Sequence, residues 1–179
     1  DVFFGNQTTN AAPADVATQV ATAEEVQFSA SASEVAMTYK TGTATQTSAL
    51  TTGKGADTIT AGDGNDTVGT TDGNDTVDGG TGNDNITTEG AIGTKLRGNE
   101  ADDDFFLLSN YTNTTINGNE GQDSFTISGA GNTVTLSDSK ILGGSGNDGQ
   151  MDFANTGGSI LAVDSVIQGG KGLDTITIG

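Results

Sequence analysis

Along residues 52–87 one aliphatic side chain returns at every ninth position, Ile59, Val68, Val77 and Ile86, and nearly everything between is Gly, Asp, Asn or Thr. A period of nine is neither the ~3.6 of an amphipathic helix nor the ~2 of a half-buried strand. It describes a six-residue polar turn followed by a three-residue extended piece with one inward side chain. A single aliphatic per turn cannot form a core alone, so the pattern predicts stacked coils that share a continuous apolar column.

Cut in nines, the run reads TGKGADTIT, AGDGNDTVG, TTDGNDTVD and GGTGNDNIT, with Gly at the fourth position, Asp at the sixth and the aliphatic at the eighth. The aspartates are Asp57, Asp66, Asp75 and Asp84. The unit returns as GNEADDDFF, GNEGQDSFT, GGSGNDGQM and GGKGLDTIT, whose sixth positions are Asp103, Asp123, Asp148 and Asp174. Here the column is continued by Phe105, Phe125, Gln150 and Ile176. Two units depart at the turn glycines: Ala101 takes a fourth position and Thr71 a second.

Strand-like pieces fill the longer intervals, at residues 114–117, 133–142 and 159–168. The last two match each other through Asp138-Ser139 and Asp164-Ser165, at equal distance from the following Gly-Gly. The repeat therefore grows from half a coil to a whole one.

Residues 1–50 are different, rich in Ala, Thr, Ser and Gln. Pro13, Val16 and Val20 suggest a short helix over 13–26. Alternation predicts strands over 26–30 and 35–39. The chain thus divides into an N-terminal cap or docking segment, 1–50, and a solenoid, 51–179, regular over 52–87 and longer-coiled over 98–179.

Two nonapeptides make one coil. Asp57 then lies beneath Asp75 on one edge and Asp66 beneath Asp84 on the other. From Asp84 one edge continues through Asp103, Asp123, Asp148 and Asp174. The opposite edge loses its aspartate at TEGAIG, residues 88–93.

Charge sharpens this picture. The 179 residues carry 24 Asp+Glu against six Lys+Arg, a formal net charge of -18. That imbalance argues against nucleic acid and anionic membrane surfaces. No apolar run approaches the ~20 residues that span a bilayer. With no Cys and no His, the usual zinc and copper ligands are missing, and hard oxygens remain.

Carboxylates stacked one strand apart, about 4.8 Å, repel unless a cation lies between them. Carbonyls of the turns around Gly55, Gly64, Gly73, Gly82, Gly121, Gly146 and Gly172 add further oxygens. Such a set suits Ca²⁺ better than Mg²⁺, which demands an octahedron and retains water. About four to six Ca²⁺ ions are expected, coupled to folding.

The blocks AGDGNDTVG and GGTGNDNIT closely resemble the nonapeptide of repeats-in-toxin (RTX, hemolysin-type) calcium-binding proteins. The resemblance implies an all-β, right-handed parallel β-roll or β-helix stacked on inter-turn calcium, with an irregular or short-stranded N-terminal segment. It also implies secretion from bacteria.

Catalysis is not expected, since no His or Cys serves as base or nucleophile and the aspartates are claimed by the turns. The function expected is that of an extracellular calcium-rigidified structural protein, self-associating or docking into a cell-surface layer, filament or adhesive coat. Alternatives are a viral capsid or tail decoration protein, at the virion surface, and an export and folding module of a larger secreted toxin or hydrolase.

Overall fold

The computed structural model describes residues 2–4, 15–16, 25–29, 31, 36–40, 47–89, 91–127, 133–137, 139–148, 150–152 and 159–177. Among them the chain is all-β, and every strand pairing is parallel. Successive strands alternate between two sheets, so the hydrogen bonds run between coils.

The first sheet stacks Val2–Phe4, Glu25–Ser29, Thr47–Thr51, Thr67–Thr70, Asn85–Thr88, Asp104–Leu107, Ser124–Ile127, Gln150–Asp152 and Ile176–Thr177. The second stacks Asp15–Val16, Thr38–Lys40, Thr58–Asp63, Thr76–Thr81, Lys95–Glu100, Thr115–Glu120, Lys140–Ser145 and Val166–Lys171. A third sheet enters only at Ala91–Ile92 and continues through Tyr111–Thr112, Thr133–Ser137 and Ser159–Val163. The two-sided roll thus becomes a three-sided helix without breaking either original sheet.

The periodic aliphatics form the core. In register, Leu50, Val68, Ile86, Phe105 and Phe125 climb the first sheet. Tyr39, Ile59, Val77, Leu96, Ile116 and Ile141 climb the second. All of these are buried. Phe105 and Phe125 stack with ring centroids 4.9 Å apart, one strand spacing, so the ladder itself sets the ring contact. Tyr111, where the third sheet widens the coil, is also buried, and its hydroxyl donates to the carbonyl of Thr88 at 2.9 Å.

Three expectations are corrected. Gln150 does not continue the apolar column: it pairs with Ser124, while Met151 pairs with Phe125 and Ile176. Met151 stands three residues after Asp148, where Phe125 and Ile176 stand two after Asp123 and Asp174, so an apolar residue is in register with the column. The pieces over 133–142 and 159–168 are each two strands: Thr133–Ser137 and Ser159–Val163 lie in the third sheet, and Lys140–Ser145 and Val166–Lys171 in the second.

The helix over 13–26 is replaced, at its described residues, by the strand Asp15–Val16 and the start of Glu25–Ser29. Val16 registers on Tyr39. Sheet pairing of this β-branched residue wins over a weak helical propensity. The strands expected over 26–30 and 35–39 correspond to Glu25–Ser29 and Thr38–Lys40, with residues 30 and 32–35 outside the described set. No helix of the described residues is long and apolar enough to cross a membrane.

Candidate metal centre

The turns from second sheet to first form a long edge, and those from first to second a short edge. On the long edge each aspartate N–H donates to Oδ1 of the aspartate one coil on. The distances are 2.8 Å for Asp66 to Asp84, 2.9 Å for Asp84 to Asp103, 3.0 Å for Asp103 to Asp123, 3.1 Å for Asp123 to Asp148 and 3.2 Å for Asp148 to Asp174. On the short edge Met37 donates to Asp57 at 2.8 Å and Asp57 to Asp75 at 3.0 Å. The pairing of every second aspartate, not of sequence neighbours, follows from one coil holding two turns.

This ladder uses one carboxylate oxygen only. Oδ2 of Asp57, Asp66, Asp75, Asp84, Asp103, Asp123 and Asp148 is buried with no hydrogen-bond partner, and each of these residues is at most 2 % exposed. Asp174, in the last described coil, is half-buried. A buried carboxylate oxygen left without a donor is costly.

The turns are shaped around these oxygens. Gly98 lies against Asp103 so closely that a Cβ there would fall on Oδ2. Carbonyls of Gly55, Gly64, Gly121 and Gly146 lie directly beneath Gly73, Gly82, Gly146 and Gly172 of the next coil. The carbonyl of Gly73 instead accepts from the hydroxyl of Thr94 at 3.2 Å. Gly82 and Gly172 hold φ of 110° and 134°. Ala101 adopts the glycine conformation in their place, with φ of 78°.

Electrostatics point the same way. Burial pushes the carboxyls of Asp66 and Asp75 up to about 6, those of Asp84 and Asp123 up to about 7, and that of Asp103 up to about 8. Repulsion from neighbouring aspartates adds to it, Asp84 and Asp123 acting on Asp103 from either side. Burial raises Asp57 and Asp148 as well. An anion in these positions needs positive charge.

Among the described residues no three acidic side chains converge. A cation held between coils would therefore have to draw on carboxylates from two neighbouring coils and complete its shell with turn carbonyls. That all-oxygen set fits a hard divalent ion with a flexible coordination number. Asp63, Asp72, Asp78, Asp102 and Asp104 lie outside the buried columns.

The sequence reading missed what replaces aspartate on the short edge. Thr94 takes the next position: its hydroxyl accepts from the N–H of Asp75 at 3.2 Å. The column continues with Ser139 accepting from Thr114 at 3.3 Å, and Ser165 accepting from Ser139 at 3.1 Å. Ser139 and Ser165 donate back to the carbonyls of Ser137 and Val163, at 2.8 and 2.9 Å. A hydroxyl both donates and accepts, so these rungs need no ion, unlike the acceptor-only carboxylate. The signal was present in the matched Asp-Ser pairs.

Residues 49–76 and 69–91 match the family model described as "RTX calcium-binding nonapeptide repeat (4 copies)". No curated protein and no solved structure matches the chain. Residues 49–91 are thus calcium-binding repeats of the RTX type.

Proposed function

We propose, with the RTX-type repeats of residues 49–91 as premise, that the protein is an extracellular structural element whose solenoid folds on calcium and then assembles at a surface. The supporting observation is the unbroken column of buried, unpartnered Oδ2 atoms, which extends beyond the matched repeats to Asp148. Calcium would be held between Asp57 and Asp75 on the short edge. On the long edge it would lie between successive members of Asp66, Asp84, Asp103, Asp123, Asp148 and Asp174, with turn carbonyls completing each shell.

When bound, the ion supplies the positive charge that the stacked carboxylates lack. The chain's own residues do the rest. Turn glycines bring carbonyls inward, the Oδ1 ladder fixes the carboxylates, and the apolar columns keep water from their inner side. At -18 the metal-free chain repels itself, so binding energy and folding energy are shared. A low-calcium compartment would keep it unfolded for export, and extracellular calcium would fold it. This role is structural, with no catalytic step.

Circular dichroism and light scattering, with calcium titrated against EGTA, test the reading. Strand signal should appear with calcium and vanish with chelator. Strand content indifferent to calcium would sink the metal assignment. Calcium-dependent strand in a particle that stays monomeric at all concentrations would sink assembly and leave a folding module.

A further inference from the structure

Four of the six basic residues gather once the chain is wound, while Lys54 lies in a turn and Lys171 ends the row that begins with Glu100, Glu120 and Ser145. Lys40, Lys95, Arg97 and Lys140 all lie on the outer side of the second sheet, and all are exposed. Over the strands from Thr58–Asp63 to Val166–Lys171, the outward positions of the strand bodies carry Lys95, Arg97 and Lys140 against one acid, Asp78. Asp78 is in register beside Arg97, yet its Oδ1 accepts from Asn99 at 2.6 Å. Asn99 holds the left-handed backbone, φ 93°, in making that contact. Among the described residues Lys95, Arg97 and Lys140 make no ion pair.

The register sets their spacing. Lys95 and Lys140 stand on either side of Thr115 in one row, so they are two strands, about 9.6 Å, apart. Arg97 is two residues along the strand from Lys95, about 6.6 Å away on the same face. The result is a flat basic patch on a molecule of net charge -18.

The opposite character begins within the same coil. The run KLRGNEADDD passes from the basic face, at Lys95 and Arg97, to the long edge, at Glu100, Asp102 and Asp104, all exposed. Glu100 registers directly on Glu120 of the next coil, also exposed. Two like charges side by side in one ladder are unfavourable and leave a surface that gains from an incoming cation.

We infer that the basic outer face of the second sheet docks on the acidic long edge, around Glu100, Asp102 and Glu120, of a second copy of this chain. The inference rests on the self-assembly proposed above and names its surface. Charge complementarity selects the occupant, because each copy carries both partners. Both charged sets are also ruled by the same inter-coil spacing, so copies with parallel axes keep register. Face and edge are different surfaces, so the contact is heterologous and repeats from copy to copy as an open array.

Analytical ultracentrifugation in saturating calcium, at low and high salt, tests it on three proteins. These are the unaltered chain, a face variant (Lys95→Glu with Arg97→Glu) and an edge variant (Glu100→Lys with Glu120→Lys). The altered residues are exposed, and calcium-dependent circular dichroism verifies that each variant folds; Lys95→Ala with Arg97→Ala replaces the face variant if it does not. The unaltered chain should assemble at low salt and dissociate as salt screens the contact. Each variant alone should weaken assembly by about tenfold or more in apparent Kd.

Mixed in equal amounts the two variants should co-assemble, because the acidified face of one meets the basic edge of the other. Variants that assemble as the parent does, or a mixture that does not recover, would overturn the surface. So would a face variant of unchanged size that has lost retention on an immobilised anionic polysaccharide such as polygalacturonate, which would make a polyanion the occupant. Loss of calcium dependence in the parent's strand signal is a separate failure, that of the calcium reading.

Discussion

At the scale of single residues, adjacent aspartates have unlike roles. Asp103 is buried with Oδ2 unpartnered, whereas Asp102 is exposed and its Oδ1 accepts from Gln122 at 2.7 Å. Asp103→Asn keeps an oxygen for the N–H of Asp84 but removes the charge shared by the gaps on either side. Calcium titration calorimetry should show fewer ions bound for Asp103→Asn and unchanged stoichiometry for Asp102→Asn; equal effects would sink the assignment of the sixth column. Backbone conformation is testable at the same scale. Gly98→Ala should destabilise by about 1–3 kcal/mol, since its Cβ falls on the Asp103 carboxylate. Gly69→Ala should be tolerated, its Cβ meeting Thr51 atoms at 3.6 and 3.7 Å. Ala101→Gly, at φ 78°, should stabilise by up to about 1 kcal/mol. Thermal melts in calcium rank the three.

At the scale of elements, the roll and the wider helix solve one problem by two chemistries. Where a coil has two sheets, both edges carry carboxylates; where the third sheet enters, the short edge changes to Thr94, Thr114, Ser139 and Ser165. Thr94, Thr114 and Ser165 each follow a corner residue of positive φ, Gly93, Asn113 and Asp164 at 80°, 53° and 48°. Ser139→Ala would leave the N–H of Thr114 without its acceptor, at a cost of about 1–3 kcal/mol. That loss should appear in melts of the calcium-bound protein with no change in ion stoichiometry, and a lost ion would refute the hydroxyl reading. The contrast also explains what was legible beforehand. Gly and Asp in a fixed register announce themselves, and the pairing of Asp66 with Asp84 follows from coil length alone. Ser and Thr do not stand out in a Thr-rich chain, and coils of 18, 19, 20, 25 and 26 residues hide their common column. The exchange of Gln150 for Met151 was hidden likewise, because nine-residue counting has no place for an extra residue after Asp148.

At the scale of the whole molecule, the proposed calcium sites would set protons and calcium in competition for one set of oxygens, and the sign of that competition is fixed. Folding raises the carboxyls of Asp66 and Asp75 to about 6, of Asp84 and Asp123 to about 7 and of Asp103 to about 8, from an unfolded value of about 3.9. Between those limits the folded, metal-free chain binds more protons than the unfolded one. Its stability therefore falls as pH rises from about 4 to about 8 and is lowest above that window. Calcium requires the ionised carboxylates, so its affinity rises over the same range. In EGTA, far-ultraviolet circular dichroism should show more strand at pH ~5 than at pH ~9, and calcium at pH ~9 should restore what chelation removed. A metal-free chain that is more ordered at the alkaline end would contradict the burial of these carboxylates. The same competition makes the folded solenoid a product of two conditions together, calcium and a pH high enough to release the protons. A chain exported into both would wind, neutralise much of its edge charge and bring its basic face within reach of a neighbour's long edge.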